Sequence, residues 1–167
     1  MSDQDQASKK NSPQIELMLR AIELSRQNLS TLNGGPFGAV IVQNGKIIAE
    51  GKNEVLASND PTAHAEVVAI RNASKILQKF DLSDCEIYTS CEPCPMCLSA
   101  IYWARLQRIF YANSRQDAAE ISFDDEMIYN EIPLNPDLRK IKSYRCCEMD
   151  AKKVFQDWVK IPAKKLY

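Results

Sequence analysis

One histidine, five glycines and two tryptophans are all that 167 residues hold of those types, and neither charge dominates. Each shortage excludes something. No stretch approaches the ~20 apolar residues of a membrane helix, so no membrane partnership is expected. The opening residues, MSDQDQASKKNS, lack the apolar core of a signal peptide, which points to a cytoplasmic protein. With 21 basic and 22 acidic residues the net charge is −1, so no sequence-wide attraction to polyanions exists and nucleic acid is not an expected partner. Internal repeats and composition shifts are also missing. The expectation is a flexible tail over residues 1–13 and one domain over 14–167, a length that buries roughly 68–70% of its unfolded surface without disulfides.

Cysteine is not scarce. Six are present, three of them in SCEPCPMC at residues 90–97. In a reducing compartment such thiols read as metal ligands, catalysts or free side chains before they read as disulfides.

Apolar residues at helical spacing (Ile15, Met18, Ile22, Leu29) predict a first helix over 15–32, stopped by NGG at 33–35. FGAVIV and KIIAEG flank QNG, which predicts a hairpin over 37–51. Asp60 and Pro61 open an Ala-rich helix with His64 in or near its first turn. A strand, CEIYTS, precedes a helix from Cys94 to Ala104, and QRIFYA at 107–112 is a further strand. Strand, helix and strand of these lengths make a parallel crossover, so the sheet is mixed. Residues 113–137, with Pro133 and Pro136, predict a short helix and then an irregular segment; Val154, Phe155 and Trp158 mark a last amphipathic helix. The fold class is an α/β sandwich of two or three layers with a mixed central sheet.

Cys94 and Cys97, three apart on a helix, can face one point, and a helix N-terminus favours the thiolates that bind metal. With His64 they make one imidazole and two sulfurs, leaving a fourth position open as in catalytic zinc sites. The alternatives are a redox CxxC, an iron–sulfur run that lacks its nearby fourth cysteine, and a structural zinc site with Cys91 as fourth ligand.

HAE at 64–66 followed by PCPMC at 93–97 is the H-x-E…P-C-x-x-C signature of zinc-dependent base deaminases, and residues 37–112 resemble the cytidine deaminase superfold in motif order and elements. The resemblance implies an α/β/α sandwich, one zinc per subunit on His64, Cys94 and Cys97, and Glu66 as general acid and base. The plain competitor for Glu66 is a first-turn carboxylate favoured by the helix dipole.

TAHAEVVAIR, SCEPCPMCLSAIYWAR, FDD at 123–125 and a terminal Tyr167 together resemble the guanine deaminases of this superfold. That resemblance implies hydrolysis of guanine to xanthine and ammonia. It also implies that Asn53 bonds the purine, Phe37 and Trp103 pack on its faces, Asp125 is a second carboxylate, and Tyr167 closes the pocket of a domain-swapped homodimer with 160–167 as its lid. The competitors are a polar residue after the hairpin for Asn53, core positions for the aromatics, and a solvated charge for Asp125. Guanosine deaminases and tRNA adenosine deaminases share parts of the pattern. A zinc-stabilised binding module would keep the cysteines and have no use for Glu66.

Overall fold

A computed structural model describes residues 13–166. The expected tail, except for Pro13, and the terminal Tyr167 lie outside the described residues. Two compact units follow each other along the chain, one ending at Asp125 and one beginning at Glu126. Among the described residues no helix is long and apolar enough to cross a membrane.

The first unit is built on a four-stranded sheet. Strands β1 (Gly38–Gln43) and β2 (Lys46–Lys52) form the expected antiparallel hairpin. Its turn places Asn44 and Gly45 at φ of 51° and 75°, the pair of positive angles whose twist matches that of flanking strands. β1 also pairs antiparallel with β3 (Cys85–Cys91), and β3 pairs in parallel with β4 (Ile109–Asn113), giving the order β2-β1-β3-β4. Parallel neighbours need a long connection, and nine helical residues supply most of it.

Alternation along β1 divides the core. Ala39 and Ile41 face one side with Ile87, Leu82 and the alanines of a covering helix, while Val40, Val42 and Tyr88 face the other. Helix α1 (Ile15–Thr31) lies on that second side, and α3 (Ala65–Leu77) with α4 (Pro95–Trp103) covers the first. Three layers result, the α/β/α sandwich that the resemblance implies, on the mixed sheet that the residues predict. Burial of each large aliphatic, such as Ile41 or Ile87, contributes about 1.5–3 kcal/mol.

The stripe that α1 buries differs from the expected one. Leu17, Ala21, Leu24 and Asn28 face the sheet, and Ile15 and Leu29 are exposed. The helix approaches β1 most closely at Ala21: a Cβ on Gly38 would lie 2.4 Å from the Ala21 carbonyl oxygen, so the turn that crosses the strand carries a small residue, with Leu17 and Leu24 packing on either side of it. The helix also stops one residue before NGG. Leu32 takes the left-handed conformation (φ 53°) and its N–H donates to the Asn28 carbonyl.

Two further boundaries move. A short helix, α2 (Val55–Ser58), follows β2 where none is expected. Asp60 does not open a helix, because its carboxylate accepts from the Thr62 N–H and hydroxyl in a side-chain turn, and α3 begins only at Ala65. Past β4, α5 (Arg115–Glu120) is held by a capping box between Ser114 and Asp117.

The second unit contains α6 (Glu126–Glu131), a 3-10 turn at Pro136–Leu138 and α7 (Glu148–Val159). Val154, Phe155 and Trp158 on α7 are exposed, and residues 161–166 form no helix or strand.

Candidate metal centre and base pocket

Two helix N-termini converge on the site. His64 is the N-cap of α3 and Cys94 the N-cap of α4, each extended (ψ 155° and 167°), with Pro95 at the first position of α4. His64 and Cys94 therefore precede their helices instead of lying on them. The angular spacing of a regular helix does not apply, and His64 and Glu66 reach one region although two helical positions would splay them. Close packing of α3 on the sheet sets its height. A Cβ on Gly51 would meet the Ala65 carbonyl oxygen at 2.2 Å.

His64 Nδ1 lies 3.6 Å from Cys94 Sγ and 3.5 Å from Cys97 Sγ, and the three donor atoms all fall within 4.8 Å of one another. A tetrahedral zinc ion with Zn–S of about 2.3 Å and Zn–N of about 2.0–2.1 Å requires N···S separations of about 3.5 Å. The donors fit. Their electrostatics point the same way. The Cys94 sulfur is pulled down to about 4, first because the Cys97 thiol donates to it, with His64 assisting, and Cys97 is driven up by Cys94 and by burial. Two sulfurs crowded this closely oppose each other's ionisation. A dication is the group that lets both ionise.

Glu66, 6% exposed, stands in the first turn of α3 with Oε2 3.4 Å from Cys97 Sγ. Burial pushes its carboxyl above the usual range. An ordinary dipole-favoured carboxylate would sit in water, and this one does not. His64 is raised, first by its hydrogen bond to Cys94. Cys91 is buried beside these groups, but its Sγ donates to the Ser114 carbonyl at 3.5 Å, and burial holds its thiol at about 11. The cluster of three does not include it, which removes the four-ligand alternative.

The expected base-binding residues divide. Asn53 is buried just past β2, its N–H donating to the Phe37 carbonyl and its Oδ1 accepting from Val55 N–H. Phe37 is half-buried and meets Phe123 edge to face at 4.9 Å. Asp125, partly buried, has its carboxyl raised chiefly by burial, with Arg115 opposing the rise and Cys94 adding to it. Trp103 is different. It ends α4, about 12 Å of helical rise from Pro95, and is 68% exposed on a groove with Ser99, Tyr102 and Arg105, so this chain does not bring it to the cluster. Tyr167 lies outside the described residues.

Two contributors escape the sequence reading. Phe123 sits inside the quoted FDD without an assigned role, and its pairing with Phe37 is a long-range contact no periodicity reveals. Asn28 is fully enclosed on α1. Its one legible signal is an amide placed in an otherwise apolar stripe.

A family model for the cytidine and deoxycytidylate deaminase zinc-binding region matches residues 11–113. Guanine deaminase from Bacillus subtilis is 53% identical over 148 residues, which cover 89% of this chain and 95% of that protein. The X-ray structure of guanine deaminase from Bacillus subtilis superposes with a TM-score of 0.90 at 51% identity, over 93% of this chain and 99% of that one. A structure of guanine deaminase from Nitrosomonas europaea gives a TM-score of 0.62 at 35% identity, covering 65% of this chain and 63% of that one. A tRNA-specific adenosine deaminase from Haemophilus influenzae is 38% identical over 126 residues, 71% of this chain and 72% of that protein. By motif, by fold and by these likenesses, the chain belongs to the cytidine and deoxycytidylate deaminase family and, within it, to the guanine deaminases.

Proposed function

We propose that this protein hydrolyses guanine to xanthine and ammonia, with one zinc per subunit held by His64, Cys94 and Cys97. One observation carries the reading: a buried carboxyl, Glu66, stands 3.4 Å from a sulfur of a three-donor set with zinc-like spacing. A binding module has no use for that carboxyl. When bound, zinc supplies Lewis acidity that makes a hydroxide nucleophile accessible near neutral pH.

The protein's own groups do the rest. Glu66 takes the proton of the attacking water and delivers it to a ring nitrogen beside the amino-bearing carbon. It then assists protonation of the departing amine, so one water is consumed and one ammonia leaves. Its raised pKa suits the task, because a proton carrier works best with a pKa near the operating pH. Asn53 bonds the purine edge, Phe37 packs on the ring, and Asp125 is a second carboxylate beside the substrate. Trp103 and the swapped segment 160–167 with Tyr167 belong to the homodimer in the same proposal. Support for it comes from the resemblance and from the exposed Trp103, Val154, Phe155 and Trp158. The near-neutral net charge weighs against a tRNA substrate.

The direct test is ammonia release by zinc-loaded protein offered guanine, guanosine, adenine, cytosine and cytidine. Guanine should be the preferred substrate; inertness towards guanine with turnover of another member overturns the choice. Deleting Tyr167 should impair guanine turnover with fold and zinc intact, and full activity of the truncated chain would remove the lid.

A further inference from the structure

Asn28 is 2% exposed on the last turn of α1, in a position where the stripe is otherwise apolar. Enclosing an amide costs free energy unless its hydrogen bonds are made, and these are made in a particular way. Nδ2 donates to the Gly35 carbonyl at 2.9 Å and to the Asn53 carbonyl at 2.8 Å, while Oδ1 accepts from the Thr31 hydroxyl at 3.4 Å. With both donors on carbonyls and the oxygen on a hydroxyl, the amide has one orientation.

Those two carbonyls belong to different walls of the pocket. Asn53 is the residue assigned to the purine edge, and Gly35 lies beneath the aromatic pair: a Cβ there would meet Phe37 Cε2 at 2.8 Å and Phe123 Cζ at 2.9 Å. The loop that leads from Asn28 to Gly35 is packed as closely against the segment after β2. A Cβ on Gly34 would strike Asn53 Oδ1 at 2.2 Å, and the Asn33 carbonyl accepts from the N–H groups of Leu56 and Ala57 just after Asn53.

We infer that Asn28 is a positioning residue for substrate: one side-chain amide ties the Asn53 backbone to the Gly35 backbone and so fixes the hydrogen-bonding wall of the base pocket relative to its aromatic wall. The inference rests on the proposed role of Asn53 in binding guanine. Misplacement by a fraction of an ångström at such a wall is enough to weaken binding, and no contact between Asn28 and the base is required. The metal ligands are untouched by the tie.

The test is a double-mutant cycle on zinc-loaded protein, with kcat and KM for guanine and zinc content as readouts. Asn28→Ala should lower kcat/KM about tenfold, mostly through KM, with zinc content unchanged. In an Asn53→Ala background the same substitution should cost less than about twofold, because the group it positions is gone. Asn28→Ser, which keeps one donor, should fall between. Equal losses in both backgrounds would make Asn28 a packing residue and overturn the inference, leaving the guanine reading intact. Unfolding of both variants also overturns it, since Asn28 would then serve the fold and not the pocket. An Asn53→Ala enzyme of full activity would sink the role of Asn53, and the positioning role with it.

Discussion

Cys97 Sγ and Glu66 Oε2, 31 positions apart in the chain, stand 3.4 Å from each other in the buried floor of the site. One helix N-terminus brings the sulfur and another brings the carboxyl. In the proposed reading that pairing sets the proton carrier against the metal ligands without making it one of them, and it motivates the first two predictions.

Glu66→Gln keeps the side chain's shape and removes its ability to carry a proton. Zinc content should stay as in the parent protein while turnover of guanine falls at least ~10²-fold, in line with general acid–base catalysis. Steady-state rates and metal analysis on the same preparation decide it, and unchanged turnover removes Glu66 from the mechanism.

Cys97→Ala takes away one buried donor of three. Zinc should be lost, and with it the stabilisation that a bound ion gives the folded state, about 4 kcal/mol where free ion exceeds Kd a thousandfold. A chelator should therefore lower the Tm of the parent protein and leave that of the variant unmoved. An equal drop in both would place the stabilising ion elsewhere.

Gly51→Ala adds one methyl where the Ala65 carbonyl oxygen lies 2.2 Å and the Ala69 nitrogen 2.5 Å away. Both obstacles are backbone atoms of α3, so the helix must shift. The expected cost is at least ~2 kcal/mol, in the upper range for overpacking. Because α3 carries Glu66 in its first turn and His64 as its cap, activity should fall more than the folded fraction does. Urea midpoints paired with specific activity measure both.

Asp84 accepts from Lys79 Nζ at 2.7 Å through each of its oxygens and from Gln43 Nε2 at 2.8 Å, and the Lys79 bond, as the main cause, lowers its carboxyl to about 2. A carboxylate depressed in the folded state adds stability above its unfolded value and loses it as pH falls through the folded one. Asp84→Asn should thus destabilise at neutral pH, and the gap from the parent should close between 3.8 and about 2. The pair is well exposed, so the gap will be small and will shrink in high salt. Urea unfolding at both ends of that window checks the sign.

Much of this protein is decided along the chain. The hairpin over β1 and β2 follows from alternating apolar residues around Asn44-Gly45, and the parallel β3–α4–β4 step follows from segment lengths, because period and turn chemistry are local properties. The candidate ligand set His64, Cys94 and Cys97 is legible too, since the two cysteines stand three apart and only one histidine is available.

What the chain does not disclose are the contacts made across layers. That Leu17, Ala21, Leu24 and Asn28 and not Ile15 and Leu29 face the sheet depends on how α1 docks on it, with Ala21 at the closest approach to Gly38. That His64 and Cys94 stand before their helices depends on the turn made by Asp60 and on Pro95 opening α4. The burial that lifts Glu66 exists only once α3 and α4 lie on one face of the sheet, as does the exposure of Trp103. Desolvation and distance between segments remote in sequence are properties of the packed molecule, so tertiary structure alone sets which carboxyl burial lifts and which aromatic meets solvent.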